Sequence, residues 1–153
     1  MIKKLLFLLT ICCCVLNSYS QNIYKIKLEG CDTEQFALES KHKTAKLHTE
    51  ELTTFLTENI SENTRKKIRG TLKLQIIVYT NGRSCLLSYE NATNVTSSML
   101  EIEKLKGLID SKLVWENGKK NVAALIEIKF KRKKTLLTRY GMDAISGWHE
   151  LKK

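Results

Sequence analysis

The chain of 153 residues contains no proline. That excludes a polyproline linker, a proline-rich ligand tract and a collagen-like segment. Histidine is scarce: His42, His48 and His149 match no zinc-ligand spacing, and HExxH does not occur. There is no phosphate-binding glycine loop, no GxGxxG and no glycine-flanked elbow around Ser84. The neighbouring carboxylates Glu101 and Glu103 alternate across a helical pattern and form no acid–base pair. These absences argue against an enzyme, and nothing in the chain asks for a cofactor or a metal. Nor is there an apolar run of the ~20 residues that a permanent membrane span needs.

What the chain does have begins with a targeting pattern over residues 1–20. Lys3 and Lys4 make a basic head, residues 5–16 are an apolar or near-apolar run, and Ser18 and Ser20 are small residues placed for a cut after Ser20. Cleavage there implies export to the periplasm or cell envelope; the alternative is an uncleaved inner-membrane anchor. Cys12, Cys13 and Cys14 fall in the apolar run, which leaves Cys31 and Cys85. In an oxidising compartment these two are candidates for a disulfide. The alternative is a buried thiol at Cys85 and a Cys31 in a loose segment.

The formal net charge is +10, and residues 129–153 carry eight basic against two acidic residues. The basicity peaks at Lys131, Arg132, Lys133 and Lys134. Such a run suits nucleic acid in a cytosolic protein, but export argues against that partner. It then reads either as a dock on an anionic membrane or cell-wall surface or as a solvated extension.

Periodicity places the elements. Residues 21–48 alternate weakly (Ile23, Tyr24, Ile26, Leu28) and read as an edge strand or a loose arm. From Thr49 the spacing is helical, with Leu52, Phe55, Leu56 and Ile60 on one face, and residues 61–69 are polar before Gly70. Leu72, Leu74, Ile76 and Val78 alternate with outward residues, Asn81-Gly82 is a tight-turn pair, and Cys85, Leu87 and Tyr89 return: a β-hairpin. Ser98 and Glu101 form a capping box ahead of a helix that carries Ile102, Leu105, Leu108 and Ile109. A last strand runs over residues 121–130. The expected fold is α+β, a two-layer sandwich: a three-stranded antiparallel sheet of order 2-1-3 with two helices on one face. Its third strand is then a free edge.

The stretch from Gly70 to Gly82 resembles the opening of a TonB C-terminal domain, with a glycine, an alternating strand and an Asn-Gly turn. Trp115, the Asn117-Gly118-Lys119 turn and the strand from Val122 to Phe130 resemble that family's closing pattern, and residues 55–60 resemble the helix before its first strand. The long proline-rich stalk of full TonB proteins is missing. The chain then divides into a signal peptide (1–20), an N-terminal arm (21–48), a TonB C-terminal-like domain (49–130), with the resemblance covering about residues 52–130, and a basic tail (131–153). It implies that a partner segment, such as the N-terminal segment of an outer-membrane transporter, adds as a strand along Val122, Ala123, Leu125, Glu127 and Lys129. The alternative is a soluble periplasmic interaction module, unrelated to transport, that docks through Lys131, Arg132, Lys133 and Lys134.

Overall fold

A computed structural model describes residues 22–42, 44–47, 49–116, 118–132 and 134–151. The expected signal segment lies outside the described residues. The described chain forms seven strands and three helices: β1 (Ile26–Lys27), β2 (Ala37–Leu38), α1 (Thr49–Glu58), α2 (Glu62–Lys67), β3 (Gly70–Val78), β4 (Ser84–Thr93), α3 (Ile102–Lys112), β5 (Val122–Phe130), β6 (Thr135–Asp143) and β7 (Gly147–Glu150). All seven strands belong to one sheet of order β1-β4-β3-β5-β6-β7, with β2 laid parallel against the start of β5 and every other pairing antiparallel. The expectation of a three-stranded sheet with two helices is therefore wrong: the protein is mostly sheet.

The β3–β4 hairpin turns at Asn81-Gly82. Gly82 sits at φ +80, which glycine adopts without steric cost, and the Tyr79 N–H reaches Arg83 O at 2.9 Å across the turn. Pairing slips by one residue between Gln75 and Ile76, leaving Leu87 of β4 as the bulged residue. On one face of the sheet Leu72, Leu74, Ile76, Ala124, Ile126 and Ile128 meet Leu52 and Leu56 of α1 and Leu105 and Ile109 of α3 in a single core. Each such large aliphatic side chain contributes roughly 1.5–3 kcal/mol by burial.

Three local expectations fail for identifiable reasons. The Ser98–Glu101 capping box is absent: Glu101 takes a left-handed conformation at φ 50, makes no side-chain cap, and α3 begins only at Ile102. Its N–H bonds Ser98 O at 3.0 Å, so a turn precedes the helix. The polar stretch after α1 is itself a helix, α2, whose cap is the Ser61 hydroxyl accepting the Thr64 N–H. Residues 131–151 are not a tail: the Lys131 N–H bonds Lys134 O at 2.9 Å, closing a turn that returns the chain as β6.

The N-terminal segment is no loose arm either. Its residues cross the sheet face opposite the helices as a strap. The Ile23 N–H bonds Gln75 Oε1 at 2.7 Å, the Tyr24 N–H bonds Ser88 Oγ at 3.3 Å, and Cys31 stands at disulfide distance from Cys85 with Cα atoms 5.6 Å apart. The strap explains why outward residues such as Gln75, Ile77 and Leu125 are fully buried.

Candidate functional site

The residues expected to bind a partner strand are held inside the sheet. Over its whole length β5 pairs with β3, and its other side is taken by β2 at Val122 and Ala123 and by β6 from Leu125 to Phe130. Val122, Ala123 and Leu125 are buried, Glu127 is half-buried and Lys129 exposed. β5 is not an edge, because the chain after Phe130 turns back instead of leaving the domain. Strand addition there would require β6 to be displaced.

Of the basic cluster, Lys131, Arg132 and Lys134 are exposed on the β5–β6 turn; Lys133 lies outside the described residues. Cys31 and Cys85 are brought together as one of the two readings of the sequence had it. Among the described residues, no three His, Cys, Asp or Glu side chains are grouped so as to hold a metal ion. No helix among them is long and apolar enough to cross a membrane.

A different site emerges where the strap passes over the sheet. Ile23, Tyr24, Lys73, Glu90, Glu127, Tyr140 and Trp148 line a groove of about 390 Å³. The register builds its floor: Lys73 on β3 faces Glu90 of β4 on one side and Glu127 of β5 on the other. Lys73 Nζ is 3.0 Å from Glu90 Oε1, and Glu127 lies 3.9 Å from Lys129 Nζ. Tyr140 and Trp148 come from β6 and β7, and Trp148 is 49% exposed.

Two phenols in this groove resist ionisation. Burial, and then the carboxylates of Glu127 and Glu90, push Tyr24 well above the ordinary phenol range. Tyr140 is raised by burial and next by Glu127. Both hydroxyls thus stay protonated beyond the pH at which a free phenol ionises. The groove sets the aromatic rings of Tyr24, Tyr140 and Trp148 beside the charged side chains of Lys73, Glu90 and Glu127. A second cleft, of about 670 Å³, lies between residues 32–37 and 119–121 and contains Phe36 as its single aromatic side chain.

Sequence reasoning missed this groove because its parts come from the strap and from five separate strands or segments. The available signal was Tyr140 and Trp148, aromatic residues in what reads as a basic tail. β7 carries the groove's outer wall and pairs with β6 alone among the described residues.

No protein-family model matches the chain, and no curated protein or solved structure matches it either, so none of these comparisons identifies a TonB C-terminal domain.

Proposed function

We propose that this chain is an exported, non-enzymatic protein-binding module. It takes an extended segment of a partner along β7, with a side chain of that segment entering the groove between Tyr24, Tyr140 and Trp148. The observation that supports this reading is the position of the groove on the flank of β7. Main-chain bonds to a sheet edge supply affinity, and a neighbouring side-chain pocket supplies register and specificity. The mode is the one that the TonB resemblance implies, with the N-terminal segment of an outer-membrane transporter as partner, moved from interior β5 to β7.

Trp148 is its own reporter. Titration of the full mature chain with transporter-derived peptides, followed by tryptophan fluorescence, is expected to saturate. Trp148→Ala, measured by calorimetry because it lacks the reporter, should weaken binding at least about tenfold, in keeping with an aromatic anchor worth about 1.4 kcal/mol or more. Alternate N-methylation of the peptide backbone should abolish it. Absence of saturable binding, or equal binding of the methylated peptide, overturns the strand-addition reading.

The exposed Lys131, Arg132 and Lys134 on one tight turn favour a second reading, attachment to an anionic envelope surface. Deleting residues 131–153 does not test it, since that removes β6 and β7. Changing the three residues to glutamine does: unchanged envelope fractionation of that variant defeats the reading.

A further inference from the structure

The disulfide that fastens the strap has charged neighbours. Lys106 on α3 holds its Nζ 3.3 Å from Cys85 Sγ and 3.7 Å from Cys31 Sγ. The same ammonium is 2.6 Å from Asp110 Oδ2 one helical turn on, and its side chain is only 13% exposed. Asp110 accepts the Leu86 N–H on Oδ1 at 2.8 Å and stands 3.5 Å from Cys85 Sγ through Oδ2.

A bonded pair of sulfurs is uncharged and a weak acceptor, so it gains little from an ammonium. A thiolate at the same place gains a charge-assisted contact. Lys106 therefore favours the reduced state over the oxidised one, and a group that favours one state of an equilibrium shifts it that way. Asp110 is the opposing charge; its carboxylate is already engaged by Lys106 and the Leu86 N–H.

We propose that Cys31–Cys85 is a thiol–disulfide exchange site, reduced by a dithiol. The two sulfurs are unequally exposed, since Cys31 is half-buried and Cys85 is 5% exposed. Attack falls on Cys31. A thiolate of the reductant bonds to Cys31 Sγ, the Cys31–Cys85 bond breaks, and its electron pair leaves on Cys85 beside Lys106. The second thiol of the reductant then displaces Cys31. The reductant ends as a disulfide and the protein as a dithiol, with two electrons and two protons transferred. The strap carries Ile23 and Tyr24 as well as Cys31, so reduction removes the covalent tie of the segment that walls the groove and leaves it held by its hydrogen bonds to Gln75 and Ser88. The exchange site stands whatever the groove binds.

The test equilibrates the full mature chain with mixtures of dithiothreitol and its oxidised form under native conditions, quenches with an alkylating agent and reads the mass. Lys106→Met is expected to need a reductant ratio about tenfold higher for half-reduction, the equivalent of one pKa unit of thiolate stabilisation, and Lys106→Arg to restore most of the wild-type value. A Lys106→Met midpoint within twofold of wild type overturns the proposal. A second measurement covers a Lys106→Met chain that fails to fold: wild-type protein is treated briefly with glutathione, and the mixed disulfide is mapped by proteolysis. The adduct is expected on Cys31; an adduct on Cys85, or none while the protein remains folded, overturns it.

Discussion

Arg139 and Glu39, one hundred residues apart, form an ion pair inside the protein, with the guanidinium Nη2 donating to Glu39 Oε2. Arg139 is 4% exposed and Glu39 1%. The remaining valences are largely filled: Arg139 Nη1 donates to Ala45 O at 2.7 Å, and Glu39 Oε1 accepts the N–H groups of Thr44 and Ala45 at 2.7 and 3.1 Å. The guanidinium also lies over the Trp115 ring, 5.4 Å from its centroid. The pair ties Glu39 to Thr44 and Ala45 where the chain after β2 wedges between β5 and β6, and the Met142 N–H closes the wedge onto Glu39 O at 2.8 Å. Removing one partner leaves the other charge buried. Arg139→Met should therefore cost about 3–5 kcal/mol in urea unfolding. Glu39→Gln in the same chain should recover part of that loss, because the stranded charge is gone. A cost below 1 kcal/mol for Arg139→Met would show that the pair is dispensable.

Gly141 is the backbone counterpart of this wedge. A Cβ there would strike the carbonyl oxygens of Ser40 and Glu39 and the Leu151 side chain. Two of the three obstacles are backbone, so they cannot rotate away. Gly141→Ala should destabilise the fold by at least about 2 kcal/mol, at the upper side of ordinary overpacking. Faster amide exchange should appear at Met142, whose N–H holds the wedge. Gly118 offers the control, with nothing within 4 Å of its added Cβ.

The same two residues show where sequence reading stops. The β3–β4 hairpin was legible because Asn81-Gly82 and strict alternation act locally. β6 was hidden because an inward position carries Arg139, which breaks the apolar alternation until its partner from residue 39 is known. Its turn, residues 131–134, has no glycine, asparagine or proline to mark it. The strap was illegible for a related reason: its backbone N–H groups are received by Gln75 and Ser88, polar residues that read as solvent-facing in an alternating strand and are fully buried. Missing β6 is what misplaces the edge onto β5, whose outer side it takes from Leu125 to Phe130. The groove could not be foreseen without β6, β7 and the strap together. The candidate pair Cys31 and Cys85 was legible as chemistry; that it fastens a strap across a second buried face was not.

The tie between Cys31 and Cys85 spans 54 residues of sequence. Closing a loop of that size restricts the unfolded chain, and its loss should cost about 2–4 kcal/mol. The double variant Cys31→Ser, Cys85→Ser should unfold at correspondingly lower urea while retaining its helix content, since Leu105 and Ile109 hold α3 in the core independently of its contact with the disulfide. Tyr24 fluorescence quenching and Trp148 accessibility should both change, because the strap is anchored next to the groove. Equal stability of the double variant and the oxidised wild type would mean that the hydrogen bonds to Gln75 and Ser88 hold the strap without the covalent link.

Alkaline stability follows from the same covered face. In the unfolded chain Tyr24 ionises near pH 10; in the folded protein burial and the carboxylates of Glu127 and Glu90 raise it well above that. The folded state thus keeps a proton that the unfolded state has already lost. The contribution of Tyr24 is fully present below about pH 10 and is lost as pH rises towards the folded value, at a limiting slope of about 1.4 kcal/mol per pH unit for one proton. Tyr140 and Tyr79 shift the same way and reinforce the trend. Urea midpoints measured between pH 9 and 11.5 should fall steeply beyond pH 10, and Tyr24→Phe should flatten that fall by up to one proton's worth. Phenolate absorbance should show ionisation of Tyr24 only together with unfolding. If Tyr24→Phe leaves the slope unchanged, Tyr24 ionises freely in the folded protein and the strap does not seal the sheet face around it.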